Sequence, residues 1–256
     1  MTELIPALLA AFGKTADPDA ALAGFDRVLG GMSAAVELFS ILREHRPILA
    51  LFSDILGSAP RLADIVAVRP HLLDAIIDPA FIEPFPELPL LIERMKASIG
   101  ESDLAEDFLD RLRETGQHEM FLVSVRMLSG VLSPEQAGSA FAAIAEGLIR
   151  ITLDDVHRRF SRDHGFVKGG RLAVLGMGRL GSRETTATSD LDLVVLYDFD
   201  PDCVESDGSR PLDPTVYFGR LTQRLISALT VPTRRGTLYA VDMRLRPSGN
   251  KGPAAT

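Results

Sequence analysis

Two aspartates, two residues apart at the start of a predicted strand, are the strongest candidates for chemistry in this sequence. In the run Ser-Asp-Leu-Asp-Leu at residues 189–193, Asp190 and Asp192 fall on one face, because successive side chains of a strand point to opposite sides. Two neighbouring carboxylates repel each other unless a cation lies between them. The pair therefore predicts a site for one or two Mg²⁺ ions, and a polar strand entry that faces solvent is the alternative.

A third carboxylate, Asp242, favours the metal site. It stands in the run Tyr-Ala-Val-Asp-Met-Arg-Leu-Arg at residues 239–246, where apolar residues occupy the opposite face. A carboxylate in the middle of an apolar strand is costly unless it binds something. Arg244 and Arg246 share its face and are predicted to contact a nucleotide or pyrophosphate. Three carboxylates on neighbouring strands, with arginines beside them, are typical of a phosphoryl or nucleotidyl transfer site.

A glycine-containing loop precedes the aspartates and admits two interpretations. The run Gly-Met-Gly-Arg-Leu-Gly at 176–181 satisfies the dinucleotide-binding pattern G-x-G-x-x-G, with Asp198 about where that pattern has its ribose-binding acid. However, only residues 182–189, rich in Thr and Ser, are available for the helix that must return the chain to a parallel strand. We therefore favour a phosphate-binding turn, in which the backbone amides of Gly181 and Ser182 cradle phosphate oxygens.

The elements that must position these residues form a short mixed α/β region. Apolar runs predict strands at 171–175, 191–197 and 237–245. The odd-numbered residues of the second strand are predicted to face a core, opposite the aspartates. Asp213 and Pro214 predict the start of a helix between the last two strands.

The residues before this region are predicted to be almost entirely helical. Apolar residues at spacings of three, four and seven over 20–44 have the period of an amphipathic helix, and prolines divide 47–77 into shorter pieces. Ser-Pro-Glu-Gln at 133–136 predicts a helix start with Ser as N-cap. We therefore expect an α+β protein with a helical domain at 1–165 and a mixed-sheet domain at 166–256.

Composition and charge exclude several classes of protein. The chain has 256 residues, 46% of them hydrophobic and 24% charged, as in a soluble globular protein. Its net charge of -8 argues against a protein that coats nucleic acid. A single cysteine, Cys203, excludes a disulfide framework and any cysteine-based zinc site. No apolar run approaches about 18 residues, and the acidic amino terminus is unlike a secretory signal, so we expect a cytoplasmic protein without a membrane segment.

The charge is unevenly distributed along the chain. Residues 1–165 hold 15 basic and 25 acidic side chains, whereas residues 166–256 hold 12 and 10. The acidic excess therefore belongs to the helical part, which we expect to meet a protein partner.

Two long runs resemble a known family. Residues 176–197, Gly-Met-Gly-Arg-Leu-Gly-Ser-Arg-Glu-Thr-Thr-Ala-Thr-Ser-Asp-Leu-Asp-Leu-Val-Val-Leu-Tyr, closely resemble the nucleotidyltransferase signature of the glutamine-synthetase adenylyltransferase/adenylyl-removing enzymes. Residues 236–253 resemble the second signature of the same family, and residues 1–165 resemble the region that precedes a catalytic domain. The resemblance implies a polymerase-β-like nucleotidyltransferase core. It also implies an enzyme that transfers AMP from Mg-ATP to a tyrosine of glutamine synthetase.

The resemblance also implies roles for individual residues. The metal-binding and catalytic carboxylates would be Asp190, Asp192 and Asp242. The nucleotide-binding residues would be Gly181, Ser182, Ser189, Arg244 and Arg246. Two positions depart from the usual family pattern: Arg179 stands in place of Lys and Ser182 in place of Gly. Both substitutions keep the charge or the small size, so the expected cofactor Mg²⁺ and the substrate ATP are unchanged.

The family resemblance leaves the type of catalytic half to be decided. Family members are long chains with two such halves, so we expect this chain to be a piece of one, with a catalytic core that is incomplete at its C-terminus. Arg-Pro-Ser-Gly at 246–249 and the Ser-Asp-Leu-Asp-Leu form favour the adenylylating half. The half that removes AMP by phosphorolysis is one alternative, and a truncated ATP-binding module without turnover is another. Glutamine and a PII-type signalling protein are the regulators that the family implies.

Overall fold

The computed structural model describes residues 4–31 and 36–243, and the chain divides into two compact units. The first unit comprises Met1–Phe85 and Met120–Ala137, and the second comprises Pro86–Glu119 and Gly138–Thr256. These units do not follow the predicted boundary after residue 165, since helices from both sides of it pack with the sheet. The division of the chain into domains at residue 165 therefore stays a prediction.

The first unit is built from short helices. Its elements are α1 (Leu4–Phe12), α2 (Pro18–Gly31), α3 (Val36–Glu44), α4 (Arg46–Ser58), α5 (Pro60–Val68), a 3₁₀ turn (Pro70–Leu73), α6 (Asp74–Ile77) and a second 3₁₀ turn (Pro79–Ile82). Pro47 and Pro60 lie in the first turns of α4 and α5, where a missing amide hydrogen costs nothing. The predicted division of this stretch by prolines is therefore confirmed.

The amphipathic period at residues 20–44 runs across two helices of the first unit. Helix α2 ends at Gly31 and α3 begins at Val36. Phe25 of the first helix contacts the ring of Phe52 at 6.1 Å between centroids, so the apolar face of that helix is used in a core. Of the apolar positions at these spacings, Leu42 is buried whereas Leu22 and Val36 are exposed, so the period predicted the buried face only in part, and residues 32–35 lie outside the described residues.

The second unit combines three helices with a small sheet. Its helical elements are α7 (Leu88–Ile99), α8 (Ala105–Leu128) and α9 (Pro134–His164), of which α8 and α9 also contribute residues to the first unit. The predicted cap of α9 is confirmed. The backbone amide of Gln136 donates to Ser133 Oγ at 3.3 Å, and the backbone amide of Ser133 donates to Gln136 Oε1 at 2.8 Å. These reciprocal bonds fix the start of the helix that borders the glycine turn.

The remaining elements give the predicted order of strand, loop, strand, helix and strand. They are β1 (Arg171–Gly176), the single turn α10 (Gly178–Gly181), β2 (Leu191–Asp198), α11 (Pro214–Thr230) and β3 (Val241–Asp242). Within the described residues the sheet has the order β1-β2-β3, with β2 antiparallel to β1 and parallel to β3. A mostly helical chain with a small mixed sheet confirms the predicted α+β class.

The last strand begins later than predicted, and residues 244 and 245 of the predicted range lie outside the described residues. A strand was expected over 237–245, but within the described chain only Val241–Asp242 pairs with β2. The Tyr239 amide donates to the Leu229 carbonyl at the end of α11, at 3.2 Å, and is therefore not available to a neighbouring strand. Residues 237–240 thus follow the helix end before the chain enters the sheet.

The two faces of the sheet have different roles. Leu191, Leu193 and Val195 of β2 are almost completely buried, as predicted for the odd-numbered residues. On the same face, Tyr197 stacks on Phe218 of α11 with 4.8 Å between ring centroids. The even-numbered residues, including Asp192, therefore lie on the opposite face.

None of the helices in the described ranges is both long and apolar enough to cross a membrane.

Helix α11, which covers the buried face, has a testable cap. The carboxylate of Asp213 accepts hydrogen bonds from the amides of Thr215 at 2.9 Å and Val216 at 3.2 Å. Replacing Asp213 by Ala should lower the free energy of unfolding in urea by about 1 kcal/mol, because both amides lose their acceptor. Asp213→Asn keeps an oxygen at this position and should leave the free energy nearly unchanged. Equal losses in the two variants would show that the cap does not stabilise the helix.

Candidate functional site

Three carboxylates, two of them in adjacent strands and one directly before β2, come together in the second unit. Asp190, Asp192 and Asp242 each offer one oxygen, and these oxygens all lie within 4.8 Å of one another. Asp190 is exposed, and the other two are half-buried. The structure thus brings together the three residues that the sequence singled out as metal ligands.

The parallel pairing of β2 with β3 produces this arrangement. Asp192 lies beside Asp242 in the strand register, and Leu191 lies beside Val241. The Leu191 amide donates to the Ala240 carbonyl at 2.9 Å, which fixes the start of the pairing. Because paired residues project to the same side of a sheet, burial of Leu191 directs both carboxylates to the open face.

A glycine in an unusual conformation supports Asp192 from the neighbouring turn. The Met177 amide donates to the Asp192 carbonyl at 2.8 Å. The next residue, Gly178, has φ of +50°, and a Cβ atom there would lie 2.4 Å from a carboxylate oxygen of Asp192. Any larger residue would displace that carboxylate, and most would also be strained by the backbone angle. Gly178 is therefore part of the site, although the sequence indicated it only as one glycine of a pattern.

The amides of Gly181 and Ser182 are used inside the glycine turn. Gly181 donates to the Met177 carbonyl and Ser182 to the Gly178 carbonyl, both at 3.0 Å. They are therefore not free donors for phosphate, contrary to the cradle expected from the sequence, because closing the single helical turn α10 requires them. The Ser182 hydroxyl lies at the surface, 3.1 Å from a carboxylate oxygen of Glu184. Nucleotide binding by Gly181 and Ser182 stays a prediction, with this hydroxyl as the exposed polar group.

The loop between the turn and the aspartates is attached to α9 and closed by its own side chains. Thr185 is buried, and its hydroxyl donates to the Gly138 carbonyl of α9 at 3.2 Å. Ser189 Oγ accepts from the Thr186 amide at 3.0 Å, which forms a tight turn directly before Asp190. Ser189 therefore has a structural contact in this loop, and its nucleotide contact stays a prediction.

The topology excludes the dinucleotide-binding interpretation of the glycine pattern. That fold needs two parallel strands joined by a full helix. Here β1 and β2 are antiparallel neighbours, and α10 is a single turn from Gly178 to Gly181. The arrangement agrees with the sequence argument that residues 182–189 are too few for a crossover helix.

The donor set suits a hard divalent cation. Carboxylate oxygens are the ligands that Mg²⁺ prefers, and three of them close together repel one another without a cation. Arg244 and Arg246, predicted to contact the nucleotide, lie outside the described residues.

Tyr239, three residues before Asp242, is buried, and burial raises the pKa of its hydroxyl above the usual range. That hydroxyl therefore stays protonated at neutral pH.

Four residues of α8 that contact the segment before Asp242 were not indicated by the sequence. Asp110, Arg113, Glu114 and Gln117 of α8 bind the segment 231–236, which leads toward Asp242. Each lies more than 100 positions from its partner in the segment, so no local motif connects them.

Comparison with known proteins identifies the family. The chain matches the model of the glutamate-ammonia ligase adenylyltransferase family over residues 49–256. Bifunctional glutamine synthetase adenylyltransferase/adenylyl-removing enzymes are similar to it, with 48% identity in Mesorhizobium japonicum, 49% in Brucella suis and 47% in Rhizobium meliloti. Each similarity extends over 256 residues, the whole of this chain, but over only 26% of the relative. This chain, which spans about a quarter of the length of those relatives, belongs to the glutamate-ammonia ligase adenylyltransferase family.

Proposed function

We propose that this chain transfers AMP from Mg-ATP to a tyrosine hydroxyl of glutamine synthetase. The observation that carries the proposal is the meeting of Asp190, Asp192 and Asp242, whose oxygens lie within 4.8 Å of one another. Such a set of acids suits nucleotidyl transfer, in which a cation must be held beside a triphosphate. The names of the relatives supply glutamine synthetase as the target of those proteins.

The three carboxylates would hold the cation and orient it on the open face of the sheet. Bound Mg²⁺ would neutralise phosphate charge and stabilise the leaving pyrophosphate. In the reaction, the tyrosine oxygen forms a bond to the α-phosphorus of ATP, and the bond from that phosphorus to the β-phosphate oxygen breaks. The tyrosine hydroxyl also loses its proton, and a carboxylate of this set would accept it as the base.

The acceptor hydroxyl would come from another protein. The chain has three tyrosines, and Tyr217 and Tyr239 are buried. Tyr197 stacks on aromatic rings on the side of the sheet opposite the aspartates. None of the three is therefore presented to the carboxylates, which supports transfer to a partner rather than to the chain itself.

The nucleotide would be held by groups around the carboxylates. The predicted contacts remain Gly181, Ser182, Ser189, Arg244 and Arg246. From Pro214 to the last residue, the sequence holds seven basic side chains and one acidic one, Asp242, so this segment favours binding of a triphosphate. The resemblance of Arg-Pro-Ser-Gly at 246–249 to the adenylylating half of the family favours transfer over removal of AMP.

A labelling experiment tests both the activity and its direction. Incubation of the chain with glutamine synthetase, Mg²⁺ and ATP labelled at the α-phosphate should transfer the label to glutamine synthetase and release pyrophosphate. If ADP is instead released from AMP-modified glutamine synthetase when phosphate is supplied, the chain is the removing half. Calorimetric binding of Mg-ATP without either reaction would identify a binding module and contradict the proposed activity.

A further inference from the structure

Arg113 of α8 is a completely buried cation surrounded by backbone carbonyls. Its side chain is 0% exposed. Its Nε donates to the Gly236 carbonyl at 2.9 Å, and its Nη2 donates to the carbonyls of Ala228 at 3.0 Å and Val231 at 2.5 Å. Its Nη1 donates to the Leu109 carbonyl in its own helix at 2.8 Å. One guanidinium group therefore joins α8, the end of α11 and the turn that follows.

The position at the end of α11 explains why a cation is used. The last carbonyls of a helix lack internal partners and carry partial negative charge. The planar guanidinium has several donors in a fixed arrangement, so it can satisfy carbonyls from two elements at once. Burial lowers the pKa of the Arg113 guanidinium, and the neighbouring Asp110 carboxylate opposes that effect. A buried Arg without hydrogen bonds would be very costly, and here the carbonyls supply them.

Further residues on the same face of α8 bind the same turn. Asp110 forms an ion pair with Arg234, and Glu114 forms one with Arg235 at 2.8 Å. Gln117 Nε2 donates to the Arg235 carbonyl at 2.9 Å. With Arg113, these residues occupy positions i, i+3, i+4 and i+7 of one helical face. The segment 231–236 is therefore held along its length by α8.

The segment after this turn transmits its position to the third carboxylate. Leu238 and Tyr239 are buried, and the Tyr239 amide donates to the Leu229 carbonyl. Ala240 then accepts the hydrogen bond from Leu191 that starts the pairing of β3 with β2. From Leu238 to β3 the chain is fixed by burial or by a hydrogen bond, and only the exposed Thr237 separates this stretch from Gly236, so movement of the turn would shift Asp242 relative to Asp192.

We infer that Arg113 is a positioning residue for the metal site: it holds the turn at 231–236 so that the Asp242 carboxylate lies in register with Asp192. The inference rests on the proposed function, because that function requires the three carboxylates to bind a cation together. Within the described residues the hydrogen bonds of Arg113 named above go to backbone carbonyls, so its role would be to position the segment and not to react.

The test is cation binding by the variant Arg113→Lys, measured with Mn²⁺ as the probe. Lysine keeps the charge but lacks the planar group that reaches two elements, so Mn²⁺ should bind about tenfold more weakly. Arg111→Lys is the matched control, because Arg111 lies on the same helix and also donates to a carbonyl, that of Ile99 at 3.3 Å. This control should bind Mn²⁺ as the wild-type chain does.

A double-mutant cycle separates positioning from a general loss of stability. In an Asp242→Asn background, Arg113→Lys should cause no further loss of Mn²⁺ affinity, because the group that it positions has already been changed. Additive losses would overturn the inference, and so would wild-type affinity in Arg113→Lys. If Arg113→Lys folds poorly, Gln117→Leu is the second variant. It removes the bond to the Arg235 carbonyl and should also weaken Mn²⁺ binding. If the wild-type chain binds no Mn²⁺, the proposed metal site fails as well.

Discussion

Asp192→Asn should abolish the response of this chain to divalent cations and lower the rate of AMP transfer by about 10² to 10³. The substitution removes one charge from three oxygens that lie within 4.8 Å of one another, with little change in side-chain volume. In the absence of a cation, removal of that charge also relieves repulsion, so the melting temperature should rise. Thermal unfolding with and without Mg²⁺, together with the transfer assay, measures both effects.

Asp198→Asn is the matched control for this prediction. Asp198 belongs to the same strand and the same face of the sheet, but its carboxylate pairs with Arg171 at 2.7 Å and lies well away from the carboxylate cluster. This variant should keep the cation response and the transfer rate of the wild-type chain. If Asp192→Asn retains full transfer activity, or if both variants lose the cation response equally, the three carboxylates are not the metal site.

Gly178→Ala should reduce both stability and activity. An alanine at φ of +50° should be strained by about 1–2 kcal/mol. Its Cβ would also lie 2.4 Å from the Asp192 carboxylate oxygen, which must move. A displacement of about 1 Å at a reacting centre can lower the rate about a hundredfold, so we expect a loss of that size. Chemical unfolding and the transfer assay measure the two effects separately.

Gly219→Ala tests whether that loss is specific to the glycine turn. Gly219 lies within α11 without a positive φ, and a Cβ there meets no atom within 4 Å. Because alanine favours the helix, this variant should be more stable by about 0.5–1 kcal/mol and fully active. If Gly178→Ala is equally harmless, the close approach between Gly178 and Asp192 does not support the site.

The parts of the fold that were predicted correctly depend on local patterns. The caps at Ser133 and Asp213 require only residues within one helical turn. The alternation in β2 requires only eight consecutive residues, and it was enough to assign Asp192 to the face opposite Leu191. In these cases the residues that form the sequence pattern also make the contact, so the contact can be predicted from a short stretch of sequence.

The parts that were missed depend on contacts between distant residues. Arg113 lies 123 positions from Gly236, and a buried arginine in a helix cannot be distinguished in sequence from an exposed one. The last strand was predicted to begin at residue 237 and not at Val241, because the bond from Tyr239 to Leu229 cannot be inferred from apolar alternation.

The pairing of Asp192 with Asp242 also restricts insertions and deletions in the chain between α11 and β3. Adding or removing one residue between Tyr239 and Val241 would turn Asp242 toward the face that Leu191 occupies, because strand side chains alternate. Changes of length here are compatible with the carboxylate cluster only if the local register is restored. The stretch 199–212 lies between β2 and α11 and sets no register between the carboxylates, so its length can change without this penalty.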